Sequence, residues 1–165
     1  MEYTTSNNIE DSDLSCDNNC RMNITNLDEI ETHYENIFSK IESNEIIYVF
    51  QGHLFKKEDN CNLFLKYTMK VVEYYFDPKK PLTVILNLEN MDKKAINIDF
   101  ILKFVKKFKK YENKMILRKF YILHCPSFFK NIYNFVKPFL HPDTVEKISL
   151  ISKKKSKEVE YYYEN

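Results

Sequence analysis

The sequence predicts an α/β domain with a mostly parallel central sheet flanked by helices, and three observations predict it. Segments with a helical apolar period alternate with short runs of β-branched and aromatic residues from Leu27 to Ser152, an order that packs helices on the faces of a parallel sheet. One of the runs, LTVILNL at 82–88, is apolar at nearly every position, as befits a strand covered on both faces. The 165 residues, 44% hydrophobic and 15% aromatic, are enough for one ordinary core and too few for two.

The elements follow in order. Residues 1–25 are rich in Asn, Ser, Asp and Glu with few large apolar residues, the composition of a disordered acidic tail. Asn26 can cap a helix from Leu27 to about Glu42, where Leu27, Ile30, Tyr34, Ile37, Phe38 and Ile41 recur at helical spacing. EIIYVF at 45–50 is a strand ended by Gly52. Leu63, Phe64, Tyr67, Val71, Tyr74 and Tyr75 form the next helix, closed by Pro78 and Pro81. After the strand at 82–88, Ile98, Ile101, Leu102, Val105 and Phe108 make one stripe of a helix, with Lys103, Lys106, Lys107 and Lys110 outside it. KFYILHC at 119–125 is a strand, Ser127 caps a helix that Pro138 ends, a turn or short helix occupies 142–147, and KISLIS at 147–152 is the last strand. The remaining 153–165 is a basic, tyrosine-rich tail without a usable period. The domain core is thus 26–152.

Charge and composition exclude several functions. The net charge of +1 and pI near 7.6 argue against a nucleic-acid binder, which needs a strongly basic face. Gly52 is the sole glycine, so no glycine-rich loop is present to cradle a nucleotide phosphate. Cys16 and Cys20, spaced C-x3-C, find no second Cys/His pair, so no metal site is expected. His124 and Cys125 adjoin, but neighbouring strand residues point to opposite faces, so they do not form a nucleophile and base; no enzymatic activity and no cofactor are expected. The N-terminus lacks a basic n-region and apolar h-region, and lysine interrupts the longest apolar run. These features predict a cytoplasmic protein.

The charge is unevenly distributed. Residues 1–35 hold nine acids against Arg21 alone, whereas 93–157 is dominated by lysine, with Asp99, Glu112, Asp143 and Glu146 as its only acids. A basic half of this kind attracts anionic head groups. Helix 128–137 sets Phe128, Phe129, Ile132, Tyr133, Phe135 and Val136 on a wide apolar arc, extended by Phe139 and Leu140, and leaves Lys130, Asn131, Asn134 and Lys137 as a polar strip. Periodicity alone also fits a helix packed permanently on a core.

The stretch KFYILHCPSFFKNIYNFVKPFLHPDTVEKISLIS, 119–152, resembles the CRAL-TRIO family, particularly its phosphatidylinositol-transfer branch. The resemblance lies in an ordered series: a strand ending in Cys125-Pro126, a helix from Ser127, KPFL at 137–140, HPDT at 141–144 and EKISLI at 146–151. YVFQGHLFKKED at 48–59 and LTVILNLEN at 82–90 resemble the family's first two strands. Asn87-Leu88-Glu89-Asn90 stands where many relatives have Asp-Leu-x-Gly, and the family's closing Leu-Pro and Gly-Gly elements have no counterpart through Asn165, which implies a cavity with fewer walls.

The resemblance implies a non-catalytic function: binding, and transfer between membranes, of one lipid such as phosphatidylinositol in an apolar cavity, with helix 128–137 as its gate. It further implies that Lys147, and Glu112 as the nearest counterpart of a family glutamate, hold the head group. Lys103, Lys106, Lys107 and Lys110 would face the membrane, which the protein meets peripherally. The alternative is a protein-interaction module that kept the fold without the cavity; the sequence names no protein partner.

Overall fold

The structure, a computed structural model, describes residues 27–112, 114 and 116–164. The predicted acidic tail, Asn26, Cys16 and Cys20 lie outside these residues. Helices α1 (Leu27–Ile37), α2 (Cys61–Tyr74), α3 (Ile98–Glu112), α4 (Ser127–Val136), α5 (Pro142–Lys147) and α6 (Lys153–Glu164) alternate with strands β1 (Phe38–Glu42), β2 (Ile46–Gln51), β3 (Pro81–Asn87), β4 (Ile116–Leu123) and β5 (Ile148–Leu150). The five strands form one sheet in sequence order, β1 antiparallel to β2 and the rest parallel. The predicted fold class is the one observed.

Three local expectations are corrected. The helix expected over 27–42 stops at Ile37, and Phe38–Glu42 instead pairs with β2, Phe38 opposite Phe50 and Glu42 opposite Ile46. Five residues along an open sheet edge gain ladder hydrogen bonds and seat Phe38 in the core, and this outweighs a weak local helical preference. The first helical residue of α4 is Ser127, the N-cap is Pro126, and no side chain caps the helix. The segment read as a tail from 153 is α6, which docks on the sheet through Ser156 and Val159.

Strand alternation sorts the sheet's two faces. Tyr48, Phe50, Leu82, Val84, Leu86, Phe120 and Ile122 face α2, α3 and α4, whereas Val49, Ile85, Tyr121 and Leu123 pack toward α6. Ser156 is fully buried; its hydroxyl accepts from the His124 N–H at 2.8 Å and donates to the Ser152 carbonyl at 3.1 Å. His124 has a left-handed backbone (φ 51°) just past the end of β4.

The start of α2 is held by polar groups. Asn60 caps it by accepting from the N–H groups of Asn62 and Leu63 at 3.0 and 3.1 Å. Just before it, the buried Asp59 carboxylate accepts from the Lys56 N–H at 2.6 Å and meets the His33 ring at 2.7 Å, which joins α1 to the loop after β2.

Gly52 leaves β2 where the chain passes under β3. A Cβ there would lie 2.8 Å from the Asn87 carbonyl oxygen and 3.1 Å from the Met91 sulfur. The first contact is with backbone and cannot rotate away. Gly52→Ala is therefore expected to destabilise the domain by about 1–3 kcal/mol in a denaturant titration, the range of overpacked cores. An unchanged midpoint would show that β3 yields.

Candidate functional site

The sheet's inner face, α2, α3 and α4 do not close on one another completely. Between them lies a cavity of about 220 Å³. Its floor is Tyr48, Phe50, Val84, Leu86, Phe120 and Ile122 from the strands; one side is Phe64, Thr68 and Val72 of α2. Phe100, Ile101, Phe104, Val105 and Phe108 of α3 form the next wall, and Phe129, Ile132, Tyr133, Val136, Phe139 and Leu140 form the last. Rigid aromatics shape one end: Phe64 lies 5.0, 5.9 and 5.8 Å from the ring centroids of Phe55, Phe50 and Phe100.

This lining is apolar with few polar interruptions. Thr68 donates its hydroxyl to the Phe64 carbonyl at 2.9 Å, and Asn97 accepts from the Phe100 N–H at 3.0 Å while its amide nitrogen donates toward the Cys61 sulfur at 3.9 Å. Lys109 is the single charged residue of the lining, and it is exposed, so only its aliphatic stem need touch the cavity. Burial pushes the Tyr48 hydroxyl up to about 12, with Tyr75 adding to the shift, and burial also raises Tyr133. Both phenols are neutral donors at physiological pH. Such a space excludes water and shelters hydrocarbon, at about 0.8 kcal/mol per methylene.

Of the residues singled out from sequence on and after helix 128–137, Phe129, Ile132, Tyr133, Val136, Phe139 and Leu140 line the cavity. Phe128 does not. It packs beside Leu88, Ile122 and Phe129, with the Lys93 ammonium 5.0 Å from its ring. Phe135 turns outward, 53% exposed, and its ring lies 6.1 Å from that of Phe139. Phe139 both lines the cavity and is 49% exposed, so it marks the rim.

Among the described side chains, the polar candidates Lys103, Lys106, Lys107 and Lys147 do not line this cavity. Lys147 is the half-buried last residue of α5 and is not part of the lining; it precedes β5 rather than lying in it. Glu112 ends α3, and its side chain lies outside the described residues. β5 begins at Ile148 opposite Phe120, whereas β4 begins at Ile116. The strand starts that these two residues precede are thus offset by roughly 13 Å. Lys103, Lys106 and Lys107 are exposed on the outer side of α3; the Lys110 side chain is outside the described residues. His124 and Cys125 both lie past β4, so opposed strand faces are not what separates them. The nearly buried His124 ring turns toward Glu89, at 3.9 Å, while the Cys125 sulfur lies 3.8 Å from the Pro126 carbonyl.

Sequence reasoning missed the α3 wall in part. Ile98, placed on the inner stripe, is 43% exposed, whereas Phe100 and Phe104 line the cavity. The i, i+4, i+8 series Phe100, Phe104 and Phe108 was the available signal. Among the described residues no helix is long and apolar enough to cross a membrane, and no three His, Cys, Asp or Glu residues gather as metal ligands.

A family model described as the CRAL/TRIO domain matches residues 39–165. No curated protein matches the sequence. Among solved structures, the crystal structure of Sfh5 superposes with a TM-score of 0.60 at 16% identity, over 79% of this chain and 51% of that one. The chain therefore spans about half the length of that structure, and at this identity the likeness is one of fold.

Proposed function

This chain belongs to the CRAL/TRIO domain family, whose kind of function is lipid binding and transfer, and we propose from that premise that it holds one lipid molecule in the cavity behind α4 and carries it between membranes without chemical change. The observation that carries this reading is the wall formed by α4 and the turn after it. One apolar face closes the cavity, and Phe139 at the rim is half exposed. α4 is ten residues long, lies between Pro126 and Pro138, and has no side-chain cap. It can swing as a unit about its ends. Outward movement presents Phe139, Phe135 and the lining of α4 to a bilayer, which compensates for the loss of core contacts.

A phospholipid such as phosphatidylinositol fits this reading with its acyl carbons inside and its phosphate toward Lys147, since the lining holds no cation except Lys109. Glu112 precedes a strand start offset from that after Lys147 by roughly 13 Å, so the phosphate is assigned to Lys147 alone. Lys103, Lys106, Lys107 and Lys110 would attract an anionic bilayer at about 1 kcal/mol each near its surface. The transfer of fluorescent phosphatidylinositol between vesicles tests the proposal. With anionic vesicles, the rate is expected to fall several-fold between 50 and about 200 mM salt as screening tightens. Replacing Lys103, Lys106 and Lys107 with alanine should slow transfer at low salt and flatten that dependence; a rate indifferent to both changes would remove the lysines from the mechanism.

One observation favours a second reading, a protein-interaction module. The cavity, at about 220 Å³, is below the roughly 300–1,000 Å³ of most ligand pockets. In that case vesicle transfer would be absent and no lipid would co-purify.

A further inference from the structure

Tyr48 is the one cavity-lining residue with a buried polar atom that the described residues leave unsatisfied. The side chain projects from the middle of β2 onto the cavity face, its ring stacked on Phe38 at 5.4 Å between centroids. The residue is 2% exposed, and its hydroxyl has no hydrogen-bond partner among the described residues. The Thr68 hydroxyl, also in the lining, is committed to the Phe64 carbonyl. A buried phenol is normally paired, and leaving it unpaired is unfavourable. The oxygen is shut off from water in this conformation, and a molecule that enters the cavity and spreads these walls can supply its acceptor.

The acceptor's chemistry follows from the rest of the lining. It contains no arginine, histidine or carboxylate, and its one lysine is exposed. A phosphate carried to this depth would lose its water with nothing to neutralise it, whereas a neutral oxygen requires only one donor. We propose that the Tyr48 hydroxyl is the cavity's polar anchor. It donates to a neutral oxygen of the bound lipid, either an ester carbonyl or an alcohol hydroxyl, and any phosphate stays outside. This rests on the lipid-cavity reading and adds to it the ligand group that the walls select.

The test compares three fluorescent probes on the full chain and on Tyr48→Phe: diphenylhexatriene, a hydrocarbon without oxygen; dehydroergosterol, with one hydroxyl; and phosphatidylcholine bearing a parinaroyl chain, with ester carbonyls. Tyr48→Phe keeps the ring and its stacking. Diphenylhexatriene binding should be unchanged, which also reports an intact cavity. At least one oxygen-bearing lipid should bind about tenfold more weakly, the effect of one buried neutral hydrogen bond. A loss confined to dehydroergosterol identifies a hydroxyl acceptor, and a loss confined to the phospholipid identifies a carbonyl. Equal weakening of all three probes would reduce Tyr48 to a packing residue and overturn the proposal. So would undiminished binding of both oxygen-bearing lipids, although the lipid-cavity reading would then stand. Failure of all three to bind the unaltered chain would overturn that reading and this proposal with it.

Discussion

Filling the cavity, with Val84→Phe and Ile101→Phe together, is expected to cut lipid loading at least tenfold while leaving the domain as stable as before or slightly more so. Val84 projects from the central strand and Ile101 from the facing helix, and both line the cavity. Their enlarged rings would occupy space that a ligand needs. Displacing two methylenes of an acyl chain already removes about 1.6 kcal/mol, more than the 1.4 kcal/mol of a tenfold change. The fold should tolerate the change, because the rings enter existing space, and cavity filling commonly adds about 0.5–2 kcal/mol. Loading is read by the lipid recovered per protein chain, and stability by denaturant titration. Unchanged loading in a stable variant would place the ligand elsewhere. Lost loading together with lost stability would mean that the walls are less yielding than the cavity implies.

The largest effect on stability is expected at Phe64, in α2 between the cavity and the core. It is 2% exposed, and its ring meets those of Tyr34, Phe50, Phe55 and Phe100. Phe64→Ala removes the centre of that cluster and joins the resulting void to the existing cavity, so collapse cannot relieve it. A loss of about 3–5 kcal/mol follows, against a total of roughly 5–15 kcal/mol for a domain. For a chain of this length the melting temperature should fall by roughly 6–20 °C. Phe64→Leu keeps more of the apolar volume and should lose less. A fall of under 1 kcal/mol in Phe64→Ala would show that these rings do not form the core.

The fold was legible because the sequence states it repeatedly. LTVILNL reads as a strand covered on both faces, and Leu82 and Ile85 are indeed buried on opposite sides. β1 was not legible, since Phe38 and Ile41 suit a helix as well as a strand, and only the open edge of β2, a tertiary feature, decides between them. α6 was hidden for a different reason. Among the described side chains it rests on the sheet through Ser156 and Val159, and a buried serine satisfied by His124 and Ser152 carries no apolar signal.

The site was legible where periodicity and geometry coincide. Six of the eight apolar residues predicted on and after helix 128–137 line one cavity, whereas Phe135 falls on the outer side of the same wide arc. Tyr48 gave no signal in the sequence because a tyrosine in an apolar strand looks like ordinary core. Its distinction is a hydroxyl without a partner among the described residues, which only the packed structure reveals. Lys147 and Glu112 depend on the family resemblance, and Lys147 stands outside the apolar lining.

The most direct test of the central claim is native mass spectrometry of the purified chain, followed by extraction and identification of whatever it carries. One lipid per chain is expected, released only when the domain is unfolded or offered acceptor vesicles. A chain that stays at its apo mass after incubation with mixed phospholipid and sterol vesicles would contradict that claim.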